Sequence, residues 1–146
     1  MRHALLLLSL ALTGMVRAET CTIDLKGDDA MKFDKSEITV SASCKTITIQ
    51  LAHAGKLPLT TMGHNVVIAA AADIQSIGMA GATAGATAHY VPVGDPRVIA
   101  HTTVVGGGAK TSVTFPGSAL KAGGDYAFFC TFPGHWAIMK GKLIVQ

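Results

Sequence analysis

The chain has 146 residues, the length of a single domain, with 49% hydrophobic and 14% charged residues. This composition can supply a buried core and excludes an intrinsically disordered protein. The net charge of +3 falls to +1 without the leader described next, and such a balance argues against nucleic acid as a partner.

The N-terminus has the features of a secretory signal peptide. A basic start is followed by an apolar run at residues 4–12 and by small residues that allow cleavage after Ala18. The run is too short to favour an uncleaved membrane anchor. We therefore predict a cleaved leader at residues 1–18 and one exported domain at residues 19–146, located in the periplasm without membrane insertion.

An exported protein with three cysteines must leave at least one of them unpaired. A bridge between Cys21 and Cys44 would stabilise the fold by ~3–3.5 kcal/mol in the chain-entropy model, and an oxidising compartment favours it. Cys130 would then carry the free thiol. Because an exposed thiol is readily oxidised, we expect Cys130 to be buried or bound to a metal.

Eight segments show the alternation or the apolar, β-branched composition that is typical of strands. They are residues 21–25, 36–43, 45–53, 65–70, 97–105, 111–115, 125–130 and 141–145. Glycine clusters separate several of them as turns. Eight short strands predict an all-β protein that folds as a β-sandwich, with loops at each end free to carry chemistry.

One alanine-rich stretch, residues 69–88, departs from this pattern. Asp73 is a candidate N-cap and the apolar residues after it have loosely helical spacing. Gly78, Gly81 and Gly85 weaken a helix here. We expect one short inserted helix and a loop, outside the main sheets.

The sequence CTFPGHWAIMK joins the last two predicted strands and contains three soft donors, Cys130, His135 and Met139. A loop pinned at both ends by strands loses little entropy when its donors bind one centre. His64, far upstream in MGHNVV, can complete the set. Two histidines, one cysteine and a distant methionine are the ligands of a blue-copper electron-transfer site.

Each of these residues also has an ordinary structural interpretation. A single methionine usually fills a core, a single histidine can be a loop residue, and a single cysteine can be a small buried hydrophobe. Gly63 can be a simple turn glycine. The spacing of the three loop residues, with GHN upstream, favours the metal site.

These motifs resemble the azurins, a family of bacterial blue-copper proteins, along essentially the whole mature length. The resemblance rests on MGHN (62–65), RVIAHT (97–102), SVTF (112–115) and FFCTFPGH…MKG (128–141), with the C-x4-H-x3-M spacing of the azurin ligand loop. It implies an eight-stranded Greek-key (cupredoxin-like) sandwich with one short helix. It also implies one copper ion that cycles between Cu(II) and Cu(I) in an electron carrier that is not an enzyme.

The resemblance assigns roles residue by residue. It implies strong equatorial ligands at His64, Cys130 and His135, a long axial contact from Met139, and a weak carbonyl contact from Gly63. In the outer shell it implies that Asn65 ties the two ligand-bearing segments together and that Phe132 packs beside the ligands. Cys21 and Cys44 match the azurin disulfide.

The resemblance further implies an apolar partner surface around the loop histidine, used for transient docking of cytochromes c or redox enzymes by a monomer. Its candidate residues are Met31, Leu57, Pro58, Met62, Pro133, Trp136 and Ala137. Trp136, the only tryptophan, could cover His135, extend this surface or pack flat against its neighbours, and we predict that it is at least partly exposed and alters partner preference. His53 is expected to be a satisfied internal histidine and His101 a surface one.

Two other classes of function fit the sequence less well. A copper reductase or oxidase needs a second, solvent-open metal site, and the remaining histidines show no paired spacing. A copper carrier or storage protein tends to use Met-rich or paired-cysteine stretches. Zinc can bind the same donors but would be colourless and redox-silent.

Overall fold

The computed structural model describes residues 20–146, and the predicted leader at residues 1–18 lies outside the described residues. The described part forms eight strands: β1 (Thr20–Gly27), β2 (Glu37–Val40), β3 (Thr46–His53), β4 (Val67–Ala70), β5 (Ala100–His101), β6 (Lys110–Pro116), β7 (Tyr126–Phe129) and β8 (Lys140–Val145). It contains two α-helices, α1 (Leu59–Met62) and α2 (Ile74–Ala84), and 3₁₀ turns at Ala71–Asp73, Ala86–Ala88, Gly117–Ala119 and His135–Ala137. None of these helices is both long and apolar enough to reach across a membrane.

The strands form two sheets, with the orders β1-β3-β6 and β2-β8-β7-β4-β5. β1 pairs with β3 and β2 with β8 in parallel, whereas the other pairs are antiparallel. The prediction of a two-sheet β-sandwich with a short inserted helix is therefore confirmed. The disulfide between Cys21 and Cys44 joins the start of β1 to the turn before β3.

The core between the sheets follows the alternation that predicted the strands. In β3, Ile47, Ile49 and Leu51 are buried, and the residues between them are less so. They pack with Phe128 of β7 and Leu143 of β8 in one cluster. Burial of such side chains contributes roughly 1.5–3 kcal/mol each, which makes the sandwich a stable frame for its end loops.

β4 and β7 are buried on both faces, which explains why their sequences are continuously apolar. Ile68 and Phe128 point into the sandwich core. Val67 and Phe129 point to the other side, where they form a second cluster with Ile77 of α2. Helix α2 is thus held against the outer face of the five-stranded sheet.

Two sequence predictions of the fold need correction. The strand expected at residues 97–105 is regular only at Ala100–His101. It stops after His101 because the Thr102 hydroxyl, in place of a backbone carbonyl, accepts the Val66 N–H (3.0 Å) and so interrupts the ladder beside β4. Farther along the chain, Val105 forms an isolated antiparallel bridge with His64, which lies just before β4. The single turn α1 has no counterpart among the predicted elements.

Candidate metal centre

Three buried donors meet at one end of the sandwich. The metal-binding atoms of His64, Cys130 and His135 all lie within 4.8 Å of one another. Cys130 Sγ is 3.9 Å from His64 Nδ1 and 3.6 Å from His135 Nδ1. The side chains of His64 and Cys130 are fully buried and His135 is 4% exposed. The structure thus brings together the three donors predicted to be equatorial ligands.

The connection between β7 and β8 positions two of these donors. Cys130 follows β7 directly, and its N–H donates to the Met139 carbonyl (3.0 Å) where the chain returns to β8. Between them, Gly134 takes a left-handed conformation (φ 80°), which starts the 3₁₀ turn that contains His135. The His135 N–H donates to the Phe132 carbonyl (2.9 Å), so the loop is closed by its own backbone.

His64 comes from the other side, just before β4. Its backbone exchanges two hydrogen bonds of 2.9 Å with Val105. Its ring Nε2 lies 2.7 Å from the Asp28 carbonyl oxygen. Because a carbonyl only accepts, Nε2 carries the proton, and the lone pair of Nδ1 faces Cys130.

The two weaker predicted contacts are also at this position. The Gly63 carbonyl oxygen is 3.9 Å from Cys130 Sγ. Met139 is fully buried in a cluster with Cys130, Val104 and Phe132. The structure therefore places a carbonyl and a thioether beside the three donors.

Asn65 links the two segments that carry the donors. Its Oδ1 accepts the Thr131 N–H (2.8 Å), and its Nδ2 donates to the Thr131 hydroxyl (2.8 Å) and to the His89 carbonyl (3.0 Å). Thr131 is the neighbour of Cys130 in the chain. The Phe132 ring packs 4.7 Å from the His135 ring, centroid to centroid. Both residues therefore lie around the three donors.

Burial sets the charge state of the metal-free donors. It raises the pKa of the Cys130 thiol to about 12, against the smaller opposite effect of the Asn65 and Phe132 backbone N–H groups. Burial also lowers the pKa of His135 to about 4, helped by nearby His64 and His53, and lowers the pKa of His64 as well. At neutral pH the imidazoles are free bases, ready to bind a cation, while the thiol must lose a proton.

His53 is internal, as expected, and it stacks on His64 with ring centroids 4.3 Å apart. Its Nε2 donates to the Met62 carbonyl (2.7 Å) and its Nδ1 accepts the Gly55 N–H (3.1 Å). Both ring nitrogens are thus satisfied in the neutral form. His101 is exposed, also as expected.

Two close neighbours of the donors were missed by the sequence analysis. A Cβ on Gly27 would lie 2.9 Å from His64 Cδ2 and 2.9 Å from Met139 Cε, so only a glycine fits there without displacing them. Asp28 contacts His64 through its backbone carbonyl, and a backbone contact of this kind cannot be predicted from the type of side chain. The glycine at the end of β1 was the available sign of a close approach.

The residues of the predicted partner surface are accessible. Met31, Met62 and Trp136 are half-buried, and Leu57, Pro58, Pro133 and Ala137 are exposed. Ile138, which is 59% exposed, and Leu59, which is 40% exposed, are further apolar residues on these segments that the sequence analysis left out. Trp136 is partly exposed, but it also packs against the cluster under α2.

Comparison with known proteins agrees with this arrangement. The sequence model of the family described as "Copper binding proteins, plastocyanin/azurin family" matches residues 19–146. The chain is 52% identical to azurin from Pseudomonas denitrificans over 126 residues, which are 86% of this chain and 98% of that protein. It is 48% identical to azurin from Pseudomonas aeruginosa over 143 residues, which are 98% of this chain and 96% of that protein.

A solved structure gives the same result for the fold. Azurin Az-iso2 from the obligate methylotroph Methylomonas sp. strain J superposes with a TM-score of 0.84 at 42% identity. The match covers 88% of this chain and 99% of that one.

Proposed function

The chain belongs to the plastocyanin/azurin family of copper-binding proteins, and we propose that this blue-copper electron carrier holds its ion through His64, Cys130 and His135. Met139 and the Gly63 carbonyl would be the weaker axial contacts. The observation that carries the assignment is the convergence of two imidazole nitrogens and one thiol sulfur, all buried and within 4.8 Å.

The donor set fits copper. A bound copper ion would supply one-electron redox chemistry, taking up and releasing an electron as it cycles between Cu(II) and Cu(I). Thiolate sulfur suits Cu(I) and imidazole suits copper in both states. The neutral imidazoles can bind copper directly, and the thiol can bind it as a thiolate after it loses its proton.

The surrounding residues keep the donors in place. The hydrogen bond from His64 Nε2 to the Asp28 carbonyl orients one imidazole, and Asn65 ties its strand to the residue after Cys130. Such outer contacts hold ligand orientation and tune the affinity and potential of a metal site. A frame that does not rearrange lowers the cost of each electron transfer.

Electrons would enter and leave through His135. Among the three donor residues His135 is the one with measurable exposure, and Pro133 and Ala137 beside it are exposed. An apolar surface of this kind suits brief docking of a redox protein, for which a cytochrome c or a redox enzyme is the expected class. The carrier would act as a monomer.

We place this exchange in the periplasm, with the leader cleaved after Ala18. The support is the signal-like N-terminal sequence and the disulfide between Cys21 and Cys44, a bond that persists in oxidising compartments. N-terminal sequencing of the protein recovered from a periplasmic extract tests this. A first residue of Glu19 supports it, and an intact Met1 in that fraction contradicts it.

The test of the site is the visible spectrum of the copper-loaded, oxidised protein. We expect intense blue absorption from thiolate-to-copper charge transfer, lost in Cys130→Ser. Thr22→Ser, an exposed hydroxyl-preserving change in β1, is the matched control and should leave the colour unchanged. Retention of the blue band in Cys130→Ser would overturn the assignment of the thiolate.

A further inference from the structure

We propose that Trp136 is a positioning residue for His135, and that helix α2 fixes it through a niche created by Gly78. This inference rests on the proposed role of His135 as a ligand. It concerns how the exposed side of the site is held, which the ligand set by itself does not explain.

The two histidine donors are held in different ways. The His64 ring is oriented by the hydrogen bond from its Nε2 to the Asp28 carbonyl. Among residues 20–146, the His135 ring has no protein hydrogen bond besides its contact with Cys130 Sγ. Its position must therefore come from packing and from the backbone turn that carries it.

Trp136 is the next residue in that turn, the 3₁₀ segment His135–Ala137. Its indole packs against the cluster of buried side chains formed by β4, β7 and α2, which includes Ile77 and Phe129. β7 is the strand that ends directly before Cys130. The indole therefore anchors the turn to the rigid part of the molecule on which the thiol is also mounted.

The niche for the indole exists because residue 78 has no side chain. Gly78 is buried in α2, and a Cβ at this position would collide with Cδ1 and Cγ of Trp136. A glycine inside a helix is less stable than alanine by roughly 0.5–1 kcal/mol. The backbone conformation at this position does not require glycine, since Gly78 does not have a positive φ angle. The contact with Trp136 is the reason that the structure offers for this glycine.

A second glycine of α2 makes a related contact on the other side of the loop. A Cβ on Gly81 would collide with the Tyr90 carbonyl oxygen and lie 3.4 Å from Thr131 Cβ. Thr131 follows Cys130, as Trp136 follows His135. One face of α2 thus lies beside the residues that follow two of the donors.

The experiment compares the single variants Gly78→Ala and Trp136→Ser with each other and with the double variant. In the metal-free protein, Gly78→Ala should displace the indole, which shifts the emission of this single tryptophan to longer wavelength. In the zinc-loaded protein it should speed metal release to a chelator by about tenfold or more, the usual scale of outer-contact effects. Trp136→Ser should speed release similarly, and Trp136→Phe should restore part of the loss.

The double variant separates positioning from general destabilisation. Without the indole, Gly78→Ala should raise the melting temperature and leave zinc release unchanged relative to Trp136→Ser, because alanine is the better helix residue. The matched control is Ala82→Gly, an exposed change on the same helix that loses helix stability without touching the loop. It should leave both the emission and zinc release as in the wild type.

The copper form gives a further readout: Gly78→Ala should change the reduction potential and the Cu(II) electron paramagnetic resonance spectrum, and Ala82→Gly should not. If Gly78→Ala does not fold, Trp136→Ser and Trp136→Phe provide the test alone. Wild-type zinc release in both Trp136 variants, or equal effects of Gly78→Ala and Ala82→Gly, overturns the proposal. Cys130→Ser distinguishes failure of this proposal from failure of the ligand assignment. If the ligand assignment is wrong, Cys130→Ser binds metal like the wild type.

Discussion

Asn65 and Thr131 are joined by two hydrogen bonds, so that one buried amide connects the segment that carries His64 to the residue that follows Cys130. The backbone N–H and the hydroxyl of Thr131 are both 2.8 Å from the amide. Since the two segments belong to distant parts of the sequence, this link adds to the β4–β7 pairing in holding His64 and Cys130 at their observed separation.

Replacing Asn65 with leucine should destabilise the protein by about 2–4 kcal/mol. The Thr131 N–H would lose its partner in a buried place and the His89 carbonyl would lose one in a partly buried place, and each unsatisfied buried group costs about 1–3 kcal/mol. Urea unfolding of the metal-free protein measures the loss. Thr131→Val, which removes the hydroxyl and keeps the N–H bond, should cost about 1 kcal/mol. Equal losses of unfolding free energy in the two variants would contradict the role given to the side-chain oxygen Oδ1 of Asn65.

Gly27→Ala should disturb two predicted ligands together. The added Cβ would come within 2.9 Å of both His64 Cδ2 and Met139 Cε, and overpacking of this kind typically costs 1–3 kcal/mol. We expect a lower unfolding free energy and a weaker affinity for copper. Lys26→Ala, an exposed change at the preceding residue, is the control and should alter neither quantity. Wild-type affinity in Gly27→Ala would show that the site absorbs the methyl group.

The strands could be predicted because their side chains alternate over a buried face, and Ile47, Ile49 and Leu51 show this pattern directly. The loop donors could be predicted because a thiol, an imidazole and a thioether fall in one short segment. His64 could be named as a candidate to complete this set, and the resemblance to a family then assigned it the role of ligand, since nothing in its own neighbourhood says which other residues it meets.

What escaped prediction depends on contacts of backbone atoms and of absent side chains. Asp28 contributes a carbonyl, and Gly27 contributes the space beside a ligand. Gly78 and Gly81 were interpreted as signs of a weak helix, but both are buried where the helix meets the donor loop. Gly85, with φ 77°, ends the same helix. A glycine has several physical reasons for its presence, and only the tertiary structure distinguishes them.

The metal-free protein should lose stability as the pH falls from 6.5 to 4. The pKa of His135 is about 4 in the folded protein because of burial, whereas the unfolded chain has the ordinary value near 6.5. Between these values the unfolded chain binds more protons, so the free energy of unfolding decreases with falling pH, and His135 contributes roughly 3 kcal/mol of this decrease. His64, whose pKa is also lowered, acts in the same direction.

Urea unfolding at a series of pH values measures this slope. His135→Gln removes one titrating group and should flatten the curve between pH 4 and 6.5, whereas Gln50→Ala, an exposed change that removes no titrating group, should not change it. An unchanged slope in His135→Gln would mean that the folded protein binds a proton at His135 as readily as the unfolded chain does.

The affinity of the site for zinc or Cu(I) should rise by about tenfold per pH unit between pH 7 and 9. Burial raises the pKa of the Cys130 thiol to about 12, so the metal-free protein keeps this proton throughout that range. A metal binds the thiolate, and each binding event must therefore release one proton to the solvent. Raising the pH favours release of that proton, which fixes the sign of the effect.

Competition with a chelator of known pH dependence measures the affinity, and an indicator dye in weak buffer counts the released protons. Cys130→Ser should remove the slope, because a serine hydroxyl is not a comparable acid. Gln50→Ala, an exposed change in β3, should keep it. If the wild-type protein bound metal with the same affinity at pH 7 and 9, the thiol would already be ionised in the metal-free pocket, and burial would not control its charge.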